Sequence, residues 1–168
     1  MARLANLLSE ATENDLQLAC NEELYASRLY QHISNQLTYL GYFGAASHFK
    51  NESDDEISHY RKHVDYLNDR GSVADVPKSP YFSTGEPAVE SLKDALTLAY
   101  EAELSLGKKY EEWYKNALDE DVTTAQYLLQ FLEIQRESVG EYSDLLARLD
   151  LCEGNPAALL MIDKELGE

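Results

Sequence analysis

Little in this sequence staples or interrupts the chain. Cys20 and Cys152 are its only cysteines, which leaves no disulfide framework and no cysteine-based zinc site. Positive charge is scarce: 14 Lys plus Arg stand against 31 Asp plus Glu, a formal net charge of −17 at pH 7. A phosphate backbone is held mainly by Lys and Arg, so the balance argues against nucleic acid as a partner. It argues equally against an anionic membrane surface. No stretch approaches the ~20 apolar residues of a membrane span, and the apolar run after Met1 is too short for a secretory signal. Glycine and proline number 8 and 4 and fall in a few places. What is present is an acidic chain of 168 residues, 44% hydrophobic with 12 tyrosines, long enough for one domain with a sizeable core. The expectation is a single domain over 1–168, cytoplasmic and reduced, with an attraction for cations.

The breaks define long segments. Gly41 and Gly44 bracket the first break and Gly71 closes the next segment. Pro77, Pro80, Gly85 and Pro87 punctuate a stretch of little periodicity, Asp119-Glu120-Asp121 reads as a short polar turn, and Gly154-Asn155-Pro156 stops the last long segment. Between these breaks, inward-type residues recur at alternating four- and three-residue steps, the signature of one helix face. The first stripe runs from Leu16 to Leu37, the second from Ala45 to Tyr66, the third from Leu92 to Ala117 and the fourth from Leu128 to Leu149. This spacing predicts helices over 10–40, 43–70, 88–118 and 122–151, with a short fifth at 157–166. The first and third links are short, so their helices are antiparallel neighbours. The middle link, 71–87, is long enough to need a reason, and a crossover running the length of a bundle supplies one. The fold class is all-α: a four-helix bundle with one long crossover and a short fifth C-terminal helix.

The stripes contain residues that a plain bundle avoids. Glu23, Glu56 and Glu103 occupy positions where Leu or Ala normally fills the core. A lone carboxylate moved inside costs about several kcal/mol even after relaxation, so three together call for protons or a shared cation. Glu56 and His59 stand three residues apart and point inward from one turn. One Glu from each of two helices plus a Glu-x-x-His pair is most of a carboxylate-bridged dimetal site. Nitrogen and carboxylate ligands without sulfur suit iron or manganese; zinc binds such sites too, without redox chemistry. Other residues are less decided. Glu52, one turn before Glu56, leans towards a further ligand, and Glu133 beside the fourth stripe is either a ligand or a solvated acid. His63 reads as a core or helix-end histidine. Tyr30, one heptad after Glu23, is placed to hydrogen-bond a ligand or to act as a one-electron donor.

Several segments together resemble the non-haem ferritins of bacteria, most closely those of cyanobacteria. They are Glu23-Leu24-Tyr25-Ala26-Ser27-Arg28-Leu29-Tyr30, Glu52 to His59, Tyr100-Glu101-Ala102-Glu103, Gly154 to Leu160 and Ile162 to Leu166. The resemblance covers nearly the whole chain after about residue 10. It implies the ferritin-like fold and a homo-oligomeric cage of 24 subunits that oxidises Fe(II) with O2 and stores ferric mineral. Carried over, Glu23 and His59 hold the first iron, Glu56 bridges, Glu103 holds the second, and Tyr30 is the tyrosine beside the first iron. Glu52 and Glu133 match acids around an accessory or transit site.

The chain also departs from family patterns. Ile57 stands where haem-binding members carry Met, so no haem is expected. The fourth helix lacks a Glu-x-x-His, and Gln135, Ser138 and Val139 replace acids found in other bacterial members. Arg136 takes the place of a Gln near the first iron, and Gln126 and Leu129 replace channel acids. Two other readings remain at this stage: another di-iron carboxylate oxidoreductase, or a storage shell without a catalytic centre.

Overall fold

The computed structural model describes residues 5–76 and 87–168. Among them are five helices: α1 (Glu10–Leu40), α2 (Phe43–Asp69), α3 (Leu92–Glu120), α4 (Val122–Leu151) and α5 (Pro156–Leu166). Local chemistry sets their ends. The Ser9 side chain caps α1 by accepting from Thr12 N, and Gly41 ends it in the left-handed region at φ 90°. Ser91 caps α3 in the same way, through Asp94 N. Asp121 breaks α3 from α4 and accepts from Thr123 N, while Asn155 caps α5 with Pro156 in its first turn.

Two expectations about the ends need correction. The third helix begins at Leu92, not at 88, because Ser91 supplies the cap and Val89 is buried ahead of it. Asp119 and Glu120 do not form a turn; the helix runs through them, and Asp121 alone makes the break. The crossover expected over 71–87 lies largely outside the described residues.

α1 packs along α2 and α3 along α4, with α3 also against α1, and α5 lies on α2. No described helix is long and apolar enough to cross a membrane. The first and third stripes are buried throughout, whereas Glu52, His59, Tyr66, Leu132, Val139 and Leu146 on the second and fourth are half-buried.

The interior is divided in two. One apolar cluster gathers Ile33, Leu37, Phe49, Ala99, Tyr142 and Leu149. The other gathers Leu16, Cys20, Tyr110, Trp113, Leu128 and Phe131. Glu23, Glu56 and Glu103, all buried, belong to neither. They form a polar belt across the waist of the bundle.

Candidate metal centre

The belt draws on all four long helices. α1 brings Glu23, α2 brings Glu56 and His59, α3 brings Glu103, and α4 brings Gln135. The i, i+3 spacing on α2 sets His59 Nδ1 2.9 Å from Glu56 Oε2, and the same nitrogen is 3.7 Å from Glu23 Oε2. Ligand atoms of Glu23, Glu56 and His59 all lie within 4.8 Å of one another. Glu103 stands across from them. Its Oε1 accepts from the Tyr30 hydroxyl, and the charge of Glu23 reaches it.

Three buried acceptors in this belt have no hydrogen-bond partner: Glu23 Oε2, Glu103 Oε2 and Gln135 Oε1. Orphaned oxygens at zero or near-zero exposure are costly. A cation held by Glu23, Glu56 and His59 would satisfy Glu23 Oε2, while Glu103 and Gln135 stand outside that group of three; hard oxygens with one imidazole nitrogen suit divalent iron or manganese.

The electrostatics follow from crowding. Burial, and after it the neighbouring Glu23 charge, pushes Glu103 up to about 8, with the Gln135 amide opposing. Burial also pushes Glu56 up to about 8, against the pull of His59 and with the push of Glu23. His59 moves the other way from what burial alone would do: Glu23 and Glu56 raise it to about 10. Burial would raise Glu23 too, but its contacts to His59 and His63 outweigh that and hold it below the usual carboxylate range. Crowding thus favours protons on Glu56 and Glu103 and charge on Glu23 and His59.

The remaining candidates separate clearly. Glu52 is half-buried, and burial followed by the charges of Asp55 and Glu141 raises it to about 7. It faces those acids beside His59 and stands apart from the group of three. The structure does not bring Glu133 to the belt. Its side chain is exposed and pairs with Arg136 at 3.1 Å, on the outer face of α4. Arg136 is exposed as well and pairs with Glu133 and Glu137, so the glutamine of this layer is Gln135. That corrects the expectation placed on Arg136, one residue and about 100° round the helix away.

Sequence reasoning missed a second layer. His63 is fully buried, not a helix-end residue, and its ring nitrogens meet Tyr110 at 2.7 Å and Tyr127 at 3.0 Å. Tyr110 in turn donates to Glu23. The signal was a polar residue one turn past His59 on the inward stripe, opposite a tyrosine one heptad past Glu103.

Residues 13–152 match the family model for the ferritin-like domain. The chain belongs to the ferritin family. It is 30% identical over 164 residues to a probable bacterial non-heme ferritin-like protein of Haemophilus influenzae, covering 96% of each chain. It is also 30% identical over 150 residues to a bacterial non-heme ferritin of Escherichia coli, covering 87% of each. Among solved structures, the open pore ferritin of the archaeon Archaeoglobus fulgidus superposes with a TM-score of 0.90 over 97% of this chain and 98% of that one, at 24% identity. That likeness carries the ferritin fold.

Proposed function

We propose that this ferritin stores and detoxifies iron. It oxidises Fe(II) with O2 at a di-iron carboxylate centre within each subunit and holds the ferric product in a cytoplasmic homo-oligomeric cage of 24. Fe(II) and O2 are its substrates. The observation that carries the reading is the set of unpartnered buried oxygens on Glu23, Glu103 and Gln135 beside the Glu56–His59 pair. Family membership supports it. The likeness to cyanobacterial members rests on the sequence motifs quoted above.

The residues take distinct parts. Glu23 and His59 bind the first Fe(II) and Glu103 the second, with Glu56 between. Binding drives the protons off Glu56 and Glu103, because a metal ligand must be deprotonated. Each Fe(II) gives up one electron, and O2 takes the pair together with two protons, the number displaced from Glu56 and Glu103, to leave as hydrogen peroxide. Tyr30 orients Glu103 through its hydrogen bond and keeps one carboxylate oxygen turned to the metal. Two flanking apolar clusters restrict water to the belt. Glu52 lies beside this centre with Asp55 and Glu141, which suits a station for iron in transit. Glu133, paired outward with Arg136, suits a place on a surface that iron passes only if that pair opens.

The test is stopped-flow absorbance after mixing apo-protein with two Fe(II) per subunit in air. Glu56→Ala should lose the fast ferric phase while keeping its helical circular dichroism. A fast phase of unchanged rate in that variant would refute the di-iron reading.

A further inference from the structure

The two oxygens of Glu23 are set to different tasks. Oε1 accepts from the Tyr110 hydroxyl, whereas Oε2 has no hydrogen-bond partner and faces His59. Tyr110 is itself held. Nε2 of His63 lies 2.7 Å from its oxygen, and Nδ1 of His63 lies 3.0 Å from the Tyr127 hydroxyl. His63 and Tyr110 are both 0% exposed. Their rings stack with Phe131 between α2, α3 and α4, which fixes the imidazole plane.

Counting hydrogens gives this chain a direction. A phenol has one hydrogen, and an ionised carboxylate only accepts. The Tyr110 hydrogen is committed to Glu23, so its oxygen accepts from His63, and Nε2 carries the imidazole hydrogen. A neutral imidazole then presents a bare Nδ1, which accepts from Tyr127. Every donor points towards Glu23, and hydrogen bonds in series strengthen one another. Glu103 shows the same division without the histidine: Tyr30 caps Oε1, and Oε2 is bare.

We infer that Tyr127, His63 and Tyr110 form a positioning relay that holds Glu23 as a single-oxygen ligand for a divalent metal ion. The inference rests on the di-iron reading above. Tyr127 is its remote end: it hydrogen-bonds to none of the candidate ligands, yet it fixes which nitrogen of His63 bears the hydrogen. Without the Tyr127 hydroxyl, His63 can move its hydrogen to Nδ1. Tyr110 can then turn its own hydrogen to Nε2, which frees Oε1 of Glu23 to join Oε2 on the metal.

Anaerobic titration of the apo-protein with Co(II), followed by its visible ligand-field bands, tests this. The bands report coordination number and geometry independently of any oxidation. Tyr110→Phe and Tyr127→Phe should each weaken the bands per bound ion as Glu23 turns chelating. Each should also lower affinity by about tenfold, the scale for lost support of a ligand. Tyr66→Phe is the control: Tyr66 stacks on Tyr127 with centroids 3.8 Å apart but bonds to Thr124 instead. Its titration should overlay that of the unmutated protein. Bands and affinity unchanged in Tyr110→Phe would overturn the assignment. A change in Tyr110→Phe but not in Tyr127→Phe would overturn the relay, and an equal change in Tyr66→Phe would reduce it to packing. Absence of Co(II) binding by the unmutated protein would instead overturn the di-iron reading itself, and the relay with it.

Discussion

A metal ion bound at the waist would compete with protons for the same oxygens, and pH would set the terms. Glu56 and Glu103, raised to about 8, hold protons in the folded apo-protein that they have lost in the unfolded chain above about 4.5. A pKa raised on folding gives stability that is complete below the unfolded value and is lost as pH climbs through the folded one. The apo-protein should therefore lose stability between about pH 4.5 and 8, by at most on the order of 1 kcal/mol per pH unit per group. His59, raised to about 10, adds a loss in the same direction above about 6.5. Thermal melts of apo-protein across this range should show the decline, and Glu103→Gln should flatten it. A melt that rises from pH 5 to 8 would contradict the assignment of protonated carboxyls. Metal binding has the opposite dependence, strengthening towards pH 8 as fewer protons must leave.

Among helices, the least obvious dependence is that of α2 on α5. The residue before α2, Tyr42, makes no capping hydrogen bond through its side chain. The N–H of Ala45 donates instead to Asp163 Oδ1 of α5 at 2.8 Å, so a carboxylate distant in sequence serves the helix start. Asp163→Ala should destabilise the subunit by about 1–2 kcal/mol, read as a lower melting temperature. Gly44 lets α5 approach: a Cβ there would meet Asp163 O at 1.8 Å and its carbonyl carbon at 2.7 Å. Because both are backbone atoms, Gly44→Ala should undock α5 and expose the C-terminal segment to limited proteolysis.

This interaction also shows where reading a sequence stops. The stripes were legible because an inward position repeats every three to four residues, and a Glu or His among them declares itself by its cost. Glu23, Glu56, His59 and Glu103 were read as inward for that reason, and the structure buries the three carboxylates and half-buries His59. Asp163 was not, since nothing near it in sequence marks α2 as its partner. His63 was legible as a core histidine, but its bonds to Tyr110 and Tyr127 were not. A tyrosine on a stripe has the size and polarity of an ordinary core residue, and which nitrogen its hydroxyl meets depends on rotamers and on the relative depth of three helices. Glu133 was left open between ligand and solvated acid, because it stands one residue, about 100°, from a stripe whose own members are partly half-buried, and the structure places it on the exposed side.

At the scale of the whole molecule, the chain exposes apolar side chains on several elements, among them Leu18, Tyr39, Phe43, Leu129, Leu151 and Met161. A cage of 24 copies would cover such residues. Its mass would be about 456 kDa, from 24 chains of 19.0 kDa, and light scattering on a sizing column should return it. A monomer or dimer at micromolar concentration would count against storage and favour a free di-iron oxidoreductase.

The divided interior bears on motion as well. Each apolar cluster joins residues of α1 to α4, yet the layer between them holds charges and unpartnered oxygens where side chains would otherwise interlock. Local opening has its lowest free energy where apolar contacts are fewest. The layer between the clusters is thus where local opening should cost least, and on the proposed reading it is where Fe(II) would bind. Iron bound in that layer would supply the bonds it lacks, so loading would stiffen the bundle at its middle and emptying would loosen it again. The division that leaves the centre open would then make the rigidity of the bundle report whether that centre is filled.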